Sequence, residues 1–123
     1  MSVILIVEDN EKNMKLVRDV LQVKGYRTLE AGSAEDGIRL AIEHKPDLVL
    51  MDIQLPGMNG IDALGVLRRD PTTASIPVIA VTASVMQQDR KLITEAGFDG
   101  YIGKPINLKE FLATVQQMLR GQQ

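Results

Sequence analysis

The sequence predicts a doubly wound α/β domain, in which five parallel strands form one sheet with helices on both faces. Short apolar runs rich in β-branched residues alternate five times with longer segments of helical period. Most of these runs are almost continuously apolar, as in strands that are buried on both faces. A (βα)5 sheet of this class is expected to have the strand order 2-1-3-4-5.

The predicted strands occur at regular intervals along the chain. They are Val3–Val7, Arg27–Glu30, Leu48–Met51, Val78–Val81 and Gly100–Ile102. Pro46 and Pro77 stand just before the third and fourth strands, where they end the preceding segments. Strands separated by segments of this length favour parallel pairing through helical crossovers.

Apolar stripes at a spacing near 3.6 residues predict helices between the strands. The stripes are Met14, Val17, Val20 and Leu21; Ile38, Leu40, Ala41 and Ile42; Ile61, Leu64, Val66 and Leu67; and Leu108, Phe111, Leu112, Val115, Met118 and Leu119. The last stripe is the clearest because the opposite face of that helix is polar. Each helix is therefore expected to bury one face against the sheet.

Capping residues agree with these helices. Ser33 with Asp36, and Asn107 with Glu110, match the spacing of a capping box at a helix N-terminus. Gly25 and Gly97 stand where helices should end, since glycine readily adopts the left-handed conformation that closes the last carbonyls.

Length and composition exclude several classes of protein. The 123 residues fit one domain spanning 1–123, with a frayed tail expected at 121–123. The chain has no cysteine for a thiolate metal site, no signal peptide and no apolar run near the ~20 residues that cross a bilayer. A net charge of -2 with scattered basic residues argues against nucleic-acid binding. The sequence therefore favours a cytoplasmic protein that binds neither membrane nor nucleic acid.

Three carboxylates follow two of the predicted strands. Glu8 and Asp9 come directly after the first strand, and Asp52 comes after the third. Parallel pairing would gather them at one edge of the sheet, where like charges about 5 Å apart repel by roughly 3 kcal/mol at an effective dielectric near 20. Such a cluster raises a pKa or binds a hard cation through oxygen ligands. We therefore expect Mg²⁺ here, with Mn²⁺ as a substitute.

Other polar residues are predicted at the same edge. Thr82, Ala83 and Ser84 follow the fourth strand, and Lys104 and Pro105 follow the fifth. Ligands of doubly wound sheets bind beyond the carboxyl ends of the strands. Carboxylates, a hydroxyl and an ammonium at this edge are the groups that handle a phosphoryl group beside a metal ion.

The motifs at this edge resemble those of the response regulator receiver domains, which have a flavodoxin-like fold. The resemblance covers essentially the whole chain through Ile6–Asn10 (IVEDN), Leu50–Gly60 (LMDIQLPGMNG), Val81–Ala83 (VTA) and Tyr101–Pro105 (YIGKP). Each fragment alone is weak, but their order and spacing together are specific. Asn13, the QLP loop and Gly97–Ile102 look most like the DivK-type regulators and the receivers of hybrid histidine kinases.

The resemblance implies a role for each acidic residue. Asp52 would be the phosphoacceptor, whose carboxylate becomes an acyl phosphate. Asp9 would bind Mg²⁺ directly, and Glu8 would act through a water molecule, although Glu8 as a solvated or helix-capping acid is an open alternative. The backbone carbonyl of Gln54 would supply a further ligand.

The resemblance also implies roles for the remaining residues at this edge. Lys104 would pair with Asp52 and then with a phosphoryl oxygen, and its bond to Pro105 would be cis. Thr82 would donate its hydroxyl to the phosphoryl group, and Tyr101 would turn inward as Thr82 moves. Gln54 and Ser84 are at the positions that tune the lifetime of the phosphate in the family.

The expected function is that of a single-domain response regulator in a two-component phosphorelay. A histidine kinase or histidine phosphotransfer protein would supply the phosphoryl group. The fourth helix, fifth strand and fifth helix would then contact a downstream protein, with the regulator a monomer or a phosphorylation-dependent dimer. No effector domain follows residue 123, and Met1 just before the first strand favours a free-standing protein over a receiver excised from a hybrid kinase.

Two other classes also use this kind of sheet. A small Mg²⁺-dependent phosphotransferase of the haloacid dehalogenase type places its nucleophile after the first strand in an Asp-x-Asp pattern. Asp9-Asn10-Glu11 matches that pattern only in part, and the chain has no cap insertion to enclose a substrate. A flavodoxin is disfavoured because Glu8 and Asp9 would repel the flavin phosphate.

Overall fold

The computed structural model describes residues 2–83 and 87–120 and contains ten alternating strands and helices. The elements are β1 Val3–Val7, α1 Glu11–Val23, β2 Arg27–Ala31, α2 Ala34–His44, β3 Leu48–Asp52, α3 Gly60–Arg69, β4 Val78–Thr82, α4 Gln87–Ala96, β5 Gly100–Gly103 and α5 Leu108–Arg120. The predicted frayed tail at 121–123 and the predicted lifetime-tuning residue Ser84 lie outside the described residues.

The five strands form one parallel sheet in the order β2-β1-β3-β4-β5, which confirms the predicted fold. Val7 of β1 pairs with Met51 of β3, so Glu8 and Asp52 are adjacent at the next position of the register. Four strands extend one residue beyond the prediction, and they end at Ala31, Asp52, Thr82 and Gly103. Asp52 thus pairs with Val81, and Thr82 with Gly103.

Two apolar layers cover the sheet. One contains buried residues of α1 and α5, and the other those of α2, α3 and α4. The predicted stripes include most of these buried residues, but Ile42, Ile61 and Leu108 are 38%, 36% and 41% exposed. Helix α2 buries the small residues Ala34 and Gly37 together with the predicted Ala41. Its close approach explains this choice, since a Cβ on Gly37 would lie 2.7 Å from Cγ2 of Val7.

The helix termini combine predicted and additional capping residues. Ser33 and Asn107 accept hydrogen bonds from the amides of Asp36 and Glu110, at 3.2 and 3.1 Å. Gly25 and Gly97 have left-handed φ angles of +90° and +106°. Three further termini have caps that were not predicted. Asn10 caps the N-terminus of α1, and Asn59 caps the N-terminus of α3. Lys45 ends α2 in the left-handed conformation, at φ +48°.

Candidate functional site

The carboxyl ends of β1 and β3 bring Glu8, Asp9 and Asp52 together. One carboxylate oxygen from each lies within 4.8 Å of the other two. Glu8 and Asp52 are only 6% and 3% exposed, whereas Asp9 is exposed. This arrangement follows from the parallel pairing of β1 and β3, because the carboxyl ends of parallel strands lie at the same edge of the sheet.

Hydrogen bonds orient both oxygens of the Asp52 carboxylate. The backbone amide of Gln54 donates to Oδ1 at 3.0 Å, and Nζ of Lys104 donates to Oδ2 at 3.0 Å. The side chain of Gln54 is exposed, so its contribution to Asp52 comes from the backbone. Since Asp52 is the last residue of a buried strand, its carboxylate is held from both the strand and the following loop.

Lys104 also pairs with Glu8, which the sequence did not indicate. Its Nζ lies 2.9 Å from Oε1 of Glu8 and 3.0 Å from Oδ2 of Asp52, so one ammonium joins two buried carboxylates. The backbone amide of Lys104 donates to the carbonyl of Thr82 at 2.8 Å, and the Lys104–Pro105 bond is cis. The site therefore connects the ends of β1, β3, β4 and β5.

Burial and pairing act against each other on these groups. Burial would lower the pKa of Lys104, but its hydrogen bonds to Glu8 and Asp52 outweigh burial and raise the pKa above its ordinary value. Burial raises the pKa of Glu8, and the neighbouring Asp52 raises it further, although Lys104 and the Asn10 amide lower it in part. Lys104 thus stays an ammonium while it holds two carboxylates.

The first turn of α1 supports Glu8. The backbone amide of Asn10 donates to Oε2 of Glu8 at 3.2 Å. The side-chain oxygen of Asn10 accepts from the backbone amides of Lys12 and Asn13 at 3.0 and 3.1 Å. Asn10 therefore fixes the start of α1 and the Glu8 carboxylate together. Asn10 directly precedes Glu11, the first residue of α1, and asparagine is a preferred N-cap residue, so this cap has a recognisable signal in the sequence.

Thr82 and Tyr101 lie beside this cluster on the neighbouring strands. Thr82 is 2% exposed at the end of β4, and Tyr101 is 37% exposed on β5, where it pairs with Ala80. The structure thus brings Glu8, Asp9, Asp52 and Lys104 into one cluster, with Thr82 joined to it through the Lys104 backbone. Tyr101 is near the start of β5, three residues before Lys104, and is partly exposed.

The donor set fits a hard divalent cation. Three carboxylates at one edge offer the anionic oxygen ligands that Mg²⁺ takes, and an exposed Asp9 leaves room for the water ligands that Mg²⁺ retains. No soft or nitrogen donor belongs to the group among residues 2–83 and 87–120. The group formed by Glu8, Asp9 and Asp52 is thus suited to Mg²⁺ or Mn²⁺.

An arginine outside the cluster joins the segments that precede β4 and β5, a role that was not predicted from the sequence. Arg68 of α3 donates to the carbonyls of Ala74, Ile76 and Gly97 at 3.1, 2.6 and 3.1 Å. It also donates at 2.8 Å to Oδ2 of Asp99, which accepts from the amide of Val78. A single arginine at the end of a helix carries no sequence signal for such a network.

A parallel sheet that gathers three carboxylates and a lysine at its edge has the features of a receiver-type α/β domain. The chain belongs to the response regulator receiver domain family, whose model matches residues 4–116. It is 46% identical over 116 residues to the polar-differentiation response regulator DivK of Brucella ovis, covering 94% of both chains. The DivK protein of Brucella anthropi is 45% identical over the same share of each chain.

Solved structures agree with this assignment. The receiver domain of a sensor histidine kinase from Pseudomonas aeruginosa PAO1 has a TM-score of 0.89 at 31% identity, covering 96% of this chain and 97% of that one. That structure has a magnesium ion coordinated in its active site cleft. A putative response regulator from Chloroflexus aurantiacus has a TM-score of 0.92 at 28% identity, covering 97% and 98%.

The family assignment makes this chain a receiver domain of two-component signalling, as its motifs indicated. Receiver domains bind Mg²⁺ at an acidic pocket and interact with histidine kinases and downstream effectors. Within residues 2–83 and 87–120, no helix combines the length and hydrophobicity needed to cross a membrane.

Proposed function

We propose that Asp52 accepts a phosphoryl group from a histidine kinase or histidine phosphotransfer protein. A carboxylate oxygen of Asp52 forms the new P–O bond while the P–N bond to the donor histidine breaks, which gives an acyl phosphate and releases the histidine. The observation that carries the proposal is the Asp52 carboxylate itself, 3% exposed and held at both oxygens by Gln54 and Lys104. A carboxylate fixed in this way is already oriented for attack.

The acidic cluster would hold Mg²⁺ during this reaction. Asp9, Asp52 and the backbone carbonyl of Gln54 would be direct ligands, and Glu8 would act through a water molecule. The bound cation supplies positive charge that neutralises the phosphoryl oxygens. The direct bond of Glu8 to Lys104 supports its indirect role, because one of its oxygens is already engaged.

Lys104 and Thr82 would stabilise the phosphoryl group. The Lys104 ammonium, which lies 3.0 Å from Asp52, would transfer its hydrogen bond to a phosphoryl oxygen as negative charge develops there. Thr82 would donate its hydroxyl to another oxygen. Its position in the strand adjacent to β3 and its backbone bond to Lys104 support this role.

The output would pass through α4, β5 and α5. Thr82 would move toward the phosphoryl group and Tyr101 would turn inward, so that one of two nearby packings of these elements becomes favoured. Each element has a large exposed apolar side chain, namely Leu92, Tyr101 and Leu108 at 58%, 37% and 41% exposure. Such residues support contact with a downstream protein in the cytoplasm. Gln54 and Ser84 would tune the phosphate lifetime.

Labelling with a small phosphate donor tests the acceptor assignment. In Mg²⁺ and labelled acetyl phosphate, the wild type should form phosphoprotein, and Asp52→Asn should form none. Asp62→Asn is a matched control because Asp62 is exposed on α3. Stoichiometric label on Asp52→Asn would overturn the proposal, and loss of label only in Asp9→Asn would point to the phosphotransferase mechanism.

The metal assignment has its own measurement. Mg²⁺ binds the folded state and should raise the melting temperature by mass action, with about 2.7 kcal/mol of stabilisation at 100 times Kd. Asp9→Asn removes one anionic ligand and should reduce that shift. An unchanged wild-type melting temperature at millimolar Mg²⁺ would contradict the assignment of the metal site.

A further inference from the structure

Gly60, the first residue of α3, lies against the backbone of the proposed phosphoacceptor. A Cβ built on Gly60 would be 2.5 Å from the carbonyl oxygen of Asp52 and 2.8 Å from Cα of Ile53. Real Cβ atoms essentially never approach other atoms within 3.0 Å. Both neighbours are backbone atoms at the end of β3, so no side-chain rotation would relieve the contact.

Gly60 also closes the loop that orients Asp52. Its amide donates to the carbonyl of Ile53 at 3.0 Å, which brings the loop back onto the end of β3. Gln54, the residue after Ile53, donates its backbone amide to Oδ1 of Asp52 at 3.0 Å. A continuous set of backbone contacts therefore runs from the start of α3 to the reactive carboxylate.

The requirement for glycine at this position is steric. Gly57 in the same loop has a left-handed φ of +76°, which an L-residue rarely adopts, whereas Gly60 is not in that region. Alanine could adopt the backbone angles of Gly60, but its methyl group has no space. Gly65 in the same helix differs, because the nearest atom to its Cβ position is Nη2 of Arg69 at 4.0 Å.

We propose that Gly60 is a positioning residue for phosphoryl transfer. Its missing side chain lets the first turn of α3 rest on the backbone of Asp52 and Ile53, and this contact holds the Gln54 amide on the Asp52 carboxylate. The inference rests on the proposed function of Asp52. A methyl group at residue 60 would displace the loop and misalign the carboxylate.

The experiment compares Gly60→Ala with Gly65→Ala, the same change in the same helix. The rate of labelling by acetyl phosphate in saturating Mg²⁺ should fall roughly 10- to 100-fold in Gly60→Ala, since a displacement near 1 Å costs about that much. The Gln54 amide resonance should shift as its hydrogen bond to Asp52 lengthens. Gly65→Ala should label within about twofold of the wild type, because its methyl group would meet only the Arg69 side chain, at an ordinary contact distance of 4.0 Å.

A third variant separates positioning from loss of stability. Ile79→Val removes a methyl group from a fully buried residue of β4 and lowers the melting temperature without touching the loop. All rates are measured at a temperature where circular dichroism shows each variant folded. Equal slowing of Ile79→Val would overturn the proposal, because the effect would then follow stability alone.

The outcomes distinguish this inference from the proposed function. Normal labelling of Gly60→Ala with an unmoved Gln54 amide would overturn the positioning role and leave Asp52 as the acceptor. Absence of label on the wild type would overturn the proposed function itself. If Gly60→Ala fails to fold, amide hydrogen exchange in the wild type tests the positioning role instead. The backbone amides of Gln54 and Gly60 should then exchange at similar rates. Much faster exchange of the Gln54 amide would contradict the proposal.

Discussion

Replacing Lys104 with methionine would remove the only ammonium seen to join Glu8 and Asp52 within residues 2–83 and 87–120, while keeping most of the apolar stem. Nζ lies 2.9 Å from Glu8 and 3.0 Å from Asp52, and those carboxylates are 6% and 3% exposed. At an effective dielectric near 20, each contact is worth about 5–6 kcal/mol of Coulomb attraction before the cost of desolvation. The variant would leave two buried carboxylates facing each other without a counter-charge.

The expected loss in the free energy of unfolding is about 3 kcal/mol without metal. Breaking a buried ion pair costs roughly 3–5 kcal/mol because the remaining charge is uncompensated. The lower end applies here, since the Lys104 side chain is 19% exposed and water can partly replace it. The same change should strengthen Mg²⁺ binding several-fold, because the ammonium and the cation are attracted to the same carboxylates.

Urea unfolding followed by circular dichroism measures both effects, with EDTA in one series and Mg²⁺ in the other. The chain has no tryptophan, so fluorescence is a poor alternative. Lys109→Met is the matched control, because Lys109 is exposed on α5. A loss below about 0.5 kcal/mol in EDTA, as for an ordinary surface substitution, would refute the argument. So would a Mg²⁺-dependent stabilisation no larger than that of the wild type.

Two further predictions concern the elements around the site. Beryllofluoride, as a phosphoryl mimic, should shift the backbone amide resonances of α4, β5 and α5 in nuclear magnetic resonance spectra. Shifts restricted to the neighbours of Asp52 would count against the proposed output surface of α4, β5 and α5. Arg68→Met should lower the free energy of unfolding by about 2–3 kcal/mol in urea denaturation, since it leaves Asp99 and three carbonyls without their charged donor. Arg69→Met is the control because Arg69 is exposed and donates to the carbonyl of Gly65 in its own helix at 3.2 Å. An equal loss of stability in Arg69→Met would disprove the reasoning.

The sheet and its acidic edge could be predicted because both follow from short-range patterns. Continuous apolar runs identify strands buried on both faces, and the parallel order then places residues 8, 9 and 52 at one edge. The strand ends were one residue short where the pattern becomes polar, as at Asp52 and Thr82. Backbone pairing does not depend on the polarity of the side chain, so hydrophobicity cannot locate its last residue.

Features that depend on contacts between distant residues could not be predicted. Lys104 can pair with Glu8 only if the carboxyl ends of β5 and β1 are level with each other in the sheet. The two motifs that contain these residues do not specify that alignment. The four acceptors of Arg68 come from two other segments of the chain, one before β4 and one before β5. The need for glycine at residue 60 depends on how closely α3 approaches β3, and that distance is set by the whole layer of α2, α3 and α4.

The charge of the cluster explains why phosphorylation at Asp52 would be transmitted to β4 and β5. The cluster combines three carboxyl groups with the single Lys104 ammonium, so a divalent cation is a suitable counter-charge for it. An acyl phosphate at Asp52 would carry about 1.5 to 2 negative charges in place of the single charge of a carboxylate, so the site would gain at most about one negative charge. Lys104 already lies 3.0 Å from Asp52, so its ammonium would turn from its present acceptors toward the phosphoryl oxygens, where the added charge is concentrated. Because the Lys104 amide is bonded to the carbonyl of Thr82, that movement would act on the strands that carry Thr82 and Tyr101.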